Sequence, residues 1–290
     1  MSGAALTAGA PAPGVLRRRR RRSALPGFRP ALGITVLWLS LIVLLPLTAL
    51  VIRPWELGVA GVWHSLTDPR VLAGLRLSFG AAALAAAINV PFGLLVAWVM
   101  VRYRFPGRSL ADALLDLPLA LPTAVAGISL TALFAPKGWI GAILLSCGIK
   151  VAYTPLGVLV ALIFVGLPFV VRTLEPVVMD LPADAEEAAA TLGASRGQVW
   201  QKVILPALGP ALLTGFGAAL ARGVGEYGSV IFIAGNMPMR TEIAPLLIVI
   251  RLEQLNYAGA AALGMAMLAL SFAILVALGA LERRLARHRA

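Results

Sequence analysis

The residues of this 290-residue chain that could do chemistry are few and scattered. Its single cysteine, Cys147, has no cysteine partner for a disulfide or a metal site, and His64 and His288 lie far from it along the chain. The three lysines, Lys137, Lys150 and Lys202, follow Pro, Ile and Gln, whereas a phosphate-binding loop ends in Gly-Lys-Ser or Gly-Lys-Thr. ATP hydrolysis by that route is not expected of this chain. No nucleophile stands beside a base, and no paired carboxylates lie within an apolar run, so neither a catalytic nor a metal site is expected. Two places remain where charge could act. One is the acidic, alanine-rich stretch Leu181 to Gly193; the other is Arg222 with Glu226, at the end of an apolar run.

The elements that carry these residues are set by an unusual composition. Sixty per cent of the residues are hydrophobic, only 13% are charged and the mean hydropathy is +0.90, so the solvent of most of the chain is a bilayer. The net charge of +12 does not indicate nucleic acid, because the basic residues sit between apolar runs instead of forming a patch interleaved with aromatics. Uninterrupted apolar runs long enough to cross about 30 Å of hydrocarbon predict six spans. They are Ala31 to Ile52, Leu77 to Val101, Leu117 to Ala135, Val151 to Val171, Val203 to Ala221 and Leu255 to Leu281. The first is too long for the core of a secretory signal and is read as an uncleaved span. Gly138 to Ile149 and Tyr227 to Met239 are too short to cross and are assigned to re-entrant or surface helices.

Six spans put both termini on one side, and 17 of the 25 basic residues fall on that side, which is therefore read as cytoplasmic. The expected organisation is a basic, disordered tail over 1–29, a transmembrane domain over 30–284 with a cytoplasmic loop at 172–202, and a short tail over 285–290. Gly217, Ala221 and Gly225 form a row of small residues suited to close helix packing within the bundle. Asn89 and Pro91 in the second span, and Pro118 and Pro122 in the third, either bond and bend the bundle statically or permit it to flex.

Within the cytoplasmic loop, Leu181 to Gly193 predicts a short helix. Asp184 is placed at its cap, Glu186 and Glu187 at the positive end of its dipole, and Gly193 at a left-handed position just past its end. Ser195-Arg196-Gly197-Gln198 has the spacing of a capping box and starts a second helix that enters the fifth span through Leu205-Pro206. A short helix projecting from a bundle is either a lever for a partner or a solvated connection.

Glu187-Ala188-Ala189, three residues, Gly193, nine residues, then Val203-Ile204-Leu205-Pro206 resembles the EAA motif of binding-protein-dependent ABC permeases. The resemblance implies an all-α, six-span type I ABC importer fold in the inner membrane. It also implies a cytoplasmic coupling helix in which Glu187, Ala188, Ala189 and Gly193, with Leu205 and Pro206 beyond them, serve coupling to an ATPase. Such a permease works with two ATPase subunits that bind the ATP and with a periplasmic binding protein. No cofactor is then needed in this chain, and lipid is its surroundings.

Ala221 to Asn236 is similar to the sulfate and molybdate permease branch, and Met239 to Ile248, Leu252-Glu253-Gln254 and Tyr257 to Ala260 look like the T-type subunit of sulfate/thiosulfate importers. That branch implies a second, related permease subunit and a sulfate-binding protein as partners. The chain departs from the T-type pattern at Leu255 and Asn256, where Tyr-Asp is usual. Sulfate or thiosulfate is the expected cargo; molybdate or tungstate, or a channel or ion-coupled carrier, are the alternatives. Arg222, Gly225, Glu226, Tyr227 and Ser229 are the candidates for the pathway or its gate, since charge in a membrane helix tends to face a bundle interior or water. The other reading of Arg222 and Glu226, four residues apart, is that they pair with each other.

Overall fold

The computed structural model of the protein describes residues 28–287. The arginine block Arg17 to Arg22, the tail expected around it and Arg289 lie outside the described residues, among which every regular element is helical. In hydrocarbon this is the economical solution, because a helix satisfies its backbone hydrogen bonds internally.

The chain divides into two units, Met1–Thr48 and Ala49–Ala290. In the first, α1 (Phe28–Leu39) passes through a π turn (Ser40–Leu44) into α2 (Leu45–Ile52), which continues into the second unit. There a 3-10 turn (Arg53–Leu57) and α3 (Gly58–Thr67) extend the helical course well beyond Ile52, where the first span was expected to end. The long helices of the second unit are α4 (Pro69–Arg102) and, after three shorter helices, α8 (Pro155–Met179). After two further short helices come α11 (Leu205–Val224) and, last in the chain, α14 (Tyr257–Arg287). Among the described residues, five helical stretches are long and apolar enough to cross a membrane, or six if one bent pair counts as a single crossing.

That pair is α5 (Arg108–Ala120) and α6 (Thr123–Phe134); the third span expected from Leu117 to Ala135 takes in only the end of α5 and the whole of α6. The two helices are bent by 110° at Leu121-Pro122. Proline has no N–H to continue the ladder and forces the preceding residue out of the helical region; Leu121 accordingly has φ −76° and ψ 138°. The stretches judged too short to cross form α7 (Trp139–Ser146) and α12 (Gly228–Ala234).

The packing centre is the contact of α4, α8 and α11. Lipid tails are as apolar as leucine, so helices gain by close van der Waals approach and small residues lie where they meet. A methyl group at Gly93 of α4 would lie 2.7 Å from Val170 Cγ1 of α8, and one at Gly166 of α8 would lie 2.7 Å from the Asn89 amide nitrogen of α4. On α11 the row used is Gly215, Ala219 and Gly223, which face Val170, the Gly166 position and Ala82. This is two residues out of step with the expected row of Gly217, Ala221 and Gly225. A shift of two residues turns a helix by about 200°, to its opposite face. Gly217 has only Leu278 within reach, at 3.6 Å, and Gly225 has nothing within 4 Å. Asn89, 1% exposed, donates from Nδ2 to the Ile163 carbonyl at 3.1 Å and so ties α4 to α8 across the core.

A second close contact joins α6 to α12. A methyl group at Gly127 would lie 2.4 Å from the Ser229 carbonyl oxygen and 2.8 Å from its Cα, while one at Gly228 would strike the Thr123 hydroxyl. Because the obstacle at Gly127 is backbone, it cannot swing aside. Gly127→Ala is therefore expected to destabilise the bundle by about 1–3 kcal/mol, the usual scale of overpacking. Gly217→Ala should be nearly silent, and equal thermal midpoints for the two variants in detergent micelles would refute this account of the α6–α12 contact.

Candidate functional site

The segment between α8 and α11 builds the first candidate site. Helix α9 (Ala183–Thr191) starts from Pro182, which takes the N-cap position without a side-chain bond. Asp184 is thus not the cap; it lies with Glu186 in the first turn, where a carboxylate still favours the helix dipole. The far end closes in a Schellman motif: the Gly193 N–H donates to the Ala190 carbonyl at 3.0 Å and the Ala194 N–H to the Ala189 carbonyl at 3.1 Å. Gly193 has φ +82°, a conformation that glycine adopts without a Cβ penalty. The capping box follows, with Gln198 Oε1 accepting from the Ser195 N–H at 2.8 Å and Ser195 Oγ accepting from the Gln198 N–H.

From that box α10 (Arg196–Val199) leads through a π turn (Trp200–Ile204) into α11. The wide turn has a cause in the sequence. Pro206 cannot donate to the carbonyl four residues back and its ring crowds it, so the preceding turn opens and the Leu205 N–H reaches Trp200 O instead. The same arrangement occurs before Leu45-Pro46, where the Leu45 N–H bonds Ser40 O. Ile204 and Leu208 then bury against Val178 in an apolar cluster that also takes in Trp98, Val101, Val177, Leu181 and Trp200.

Exposure divides α9 into two faces. Asp184, Glu187, Ala188 and Thr191 are exposed, as are Leu192 and Gly193 after them, while Glu186 and Ala189 are half-buried. Leu192 is 87% exposed, the same as Trp139 and as open as any large apolar side chain described. Glu186 does not share the exposure of Glu187: it pairs with Arg102 at the end of α4, Nη2 to Oε1 2.7 Å. Sequence reasoning gives Leu192 no role of its own and reads Arg102 only as a basic residue of a cytoplasmic loop. The signal for Leu192 was a lone leucine beside the helix-ending glycine in an otherwise polar segment.

Arg172 had been counted only as a basic residue of the 172–202 loop. In the structure α8 continues to Met179, and Arg172 lies inside it. It holds Asp116 of α5 through two bonds of 3.0 and 2.7 Å, Asp112 at 2.8 Å and Glu175 at 2.8 Å. Asp112 and Asp116, one turn apart on α5, thus share one arginine.

The second candidate site lies where α11 ends. Gly225 is its C-cap, and Arg222 Nη1 and Glu226 Oε2 form an ion pair across that turn. Glu226 is 3% exposed, and its Oε1 accepts from the Ser229 N–H at 2.9 Å and from Ser229 Oγ at 2.8 Å. A buried carboxylate with three donors is fully engaged. Of the five residues proposed for a pathway, Glu226 and Ser229 are buried, Arg222 and Tyr227 are half-buried and Gly225 is exposed.

The sequence departure at Leu255 and Asn256 has a local explanation. Leu255 turns the chain after α13 (Ala244–Glu253) with φ +59°, and Asn256 Oδ1 accepts from the Gly259 N–H at 2.9 Å, capping α14. Asparagine and aspartate perform this task about equally well, so the change from aspartate leaves the cap in place.

Glu226→Ala would leave the buried Ser229 donors without an acceptor and Arg222 without a counter-charge, a loss of about 1–3 kcal/mol. Glu226→Gln keeps an acceptor and should fall between that variant and the wild type in thermal midpoint. Indistinguishable midpoints for all three would show that the cluster contributes nothing to stability.

A family model described as "Binding-protein-dependent transport system inner membrane component" matches residues 89–287. The sulfate transport system permease protein CysT of Salmonella typhimurium is 47% identical over 267 residues, covering 92% of this chain and 96% of that protein. CysT of Synechococcus elongatus is 45% identical over 254 residues, covering 88% and 91%. Among solved structures, a bacterial ABC transporter involved in the import of the acidic polysaccharide alginate superposes with a TM-score of 0.73 at 15% identity, over 88% of this chain and 94% of that one. A bacterial alginate ABC transporter in complex with an alginate pentasaccharide-bound periplasmic protein gives 0.72 at 17% identity. With its long apolar helices and a match over most of its length, this chain is a multi-pass membrane protein that belongs to the family of inner-membrane components of binding-protein-dependent transport systems.

Proposed function

We propose that this chain is a permease subunit of an ATP-driven importer of sulfate or thiosulfate, with a separate ATPase hydrolysing the ATP. The observation that carries the cargo is the 47% identity, spread over 92% of the chain, to permeases of sulfate transport systems. In this reading the bent pair α5–α6 makes one crossing, giving six, and residues 30–284 form the transmembrane domain. The tails 1–29 and 285–290 are cytoplasmic, as the distribution of arginine favours. A periplasmic sulfate-binding protein delivers the anion, and a second, related permease completes the pathway.

Helix α9 is the coupling helix. Glu187, Ala188, Leu192 and Gly193 are exposed, and a large apolar side chain and a carboxylate both open to water suit a partner surface that supplies a cleft and a cation. Ala189 lies against the chain's own side. Leu205 and Pro206 act one step away, through the π turn that aims α10 into α11. Two ATPase subunits, one for each permease, would grip the two coupling helices and move the spans between inward- and outward-open states.

At the second site Arg222, Gly225 and Tyr227 face the pathway, while Glu226 and Ser229 fix the turn behind them. An arginine already paired with a carboxylate attracts an anion weakly, which suits a cargo that must leave as well as enter.

The test is ATP-dependent uptake of labelled sulfate by vesicles holding the chain with its partner permease, ATPase and binding protein. Glu187→Arg and Gly193→Pro should abolish uptake in assembled complexes, the second because proline cannot adopt φ +82°. Uptake that needs no ATP would end the importer reading, and ATP-driven uptake of molybdate but not sulfate would change only the cargo. In the same vesicles Arg222→Ala should lower sulfate uptake about tenfold with assembly intact, the scale of one lost charge-assisted contact. Unchanged uptake would remove Arg222 from the pathway.

A further inference from the structure

We infer that Arg102 is a positioning residue that joins the coupling helix directly to α4, so that movement of α9 reaches α4 as well as the two spans that the chain joins to it. This rests on the coupling role proposed for α9 and names the route by which that role is carried out.

By chain connection alone, α9 is joined to α8 through Asp180 to Pro182 and to α11 through Gly193, the capping box and the π turn. Its link to α4 is made by side chains. Arg102 is the last residue of α4, and its Nη2 holds Glu186 Oε1 of α9 at 2.7 Å. Its guanidinium carbon lies 5.0 Å from the ring centroid of Trp98, one turn earlier on α4. Trp98 in turn meets Trp200, the first residue of the π turn, with ring centroids 4.6 Å apart and planes inclined at 49°. Four side chains from α9, α4 and the start of α11 thus form one contact chain.

Its physics suits transmission. Both members of the ion pair are about three-quarters covered, and the Arg102 Nε is buried with no oxygen acceptor among the described residues. The guanidinium is held by one carboxylate on one side and an indole face on the other, an arrangement with few alternative geometries. Trp200 anchors the joint in the apolar cluster with Val178, Ile204 and Leu208. Beyond the joint, α4 and α11 meet at Ala82 and Gly223, where a methyl group would already be only 3.1 Å away. Two helices packed that closely move as a body, and interfaces of this kind switch between discrete arrangements more readily than they deform. The adjacent pair Glu186-Glu187 thereby divides its work: Glu186 points to the chain's own span, and Glu187 is left for the partner.

The experiment reconstitutes the complete importer in liposomes and measures sulfate taken up and ATP hydrolysed in the same vesicles. The variants are R102E, E186R, the double reversal R102E/E186R, Trp98→Ala and Trp98→Phe, each with the amount of bound ATPase measured. Each single reversal should lower sulfate carried per ATP about tenfold while the ATPase stays bound and active. The double reversal should return to within about twofold of wild type, because the pair is restored with its partners exchanged. Trp98→Phe should retain more of the ratio than Trp98→Ala. A residue that only stabilised the fold would lower assembly and leave sulfate per ATP unchanged. Where a reversal prevents assembly, Arg102→Gln, which keeps bulk and donors without the charge, makes the same comparison. Wild-type sulfate per ATP in the single variants, or a double reversal no better than its parents, overturns the inference and leaves the importer reading intact. Absence of ATP-driven uptake by the wild-type complex overturns that reading instead, and the inference with it.

Discussion

Close approach of α4, α8 and α11 is the constraint on which the rest of the structure depends. In lipid no gain comes from hiding apolar side chains, so the bundle is held by van der Waals contact and a few polar ties. Each contact needs one partner without a side chain: Gly93 beneath Val170, Gly166 beneath Asn89, Gly223 beneath Ala82. The Asn89 amide bonded to the Ile163 carbonyl adds a directional tie in the middle of this packing. Surfaces so fitted have little room to slide.

Proline sets the irregular features around that centre. Pro122 breaks α5 from α6 and lets α6 turn against α12, where Gly127 and Gly228 accept the neighbouring backbone. Pro206 widens the turn before α11, which places Trp200 against Trp98. Both act by the missing N–H and by ring crowding. The buried Glu226 complements them: with no regular ladder between α11 and α12, its carboxylate receives the Ser229 donors and the Arg222 charge.

Much of the fold was legible because its signals are local. Apolar runs foretold the positions of α4, α8, α11 and α14, and the short runs foretold α7 and α12. The capping box at Ser195 and the left-handed Gly193 appear where their residue types placed them. Errors arose where one local rule competed with another. The apolar run from Leu117 to Ala135 marks a crossing but not its shape, which the backbone restriction at Leu121-Pro122 bends by 110°. Asp184 is a good cap by type, yet the helix begins one residue before it, behind Pro182. The 172–202 segment was read as loop because it opens with an arginine, but three carboxylates on α5 and α8 make that charge tolerable within a helix.

By itself the sequence determined that the chain is helical and membrane-embedded and that one short acidic helix ends at Gly193. These follow from composition, run length and φ preference, which act over a few neighbouring residues. Tertiary structure alone decided which face of α11 meets its neighbours, that Glu186 pairs with Arg102 while Glu187 stays exposed, and that Arg102, Trp98 and Trp200 converge. Those outcomes depend on residues 84 and about 100 positions apart in the chain, and on a helix rotation that a period of 3.6 residues does not specify until the partner helices are in place.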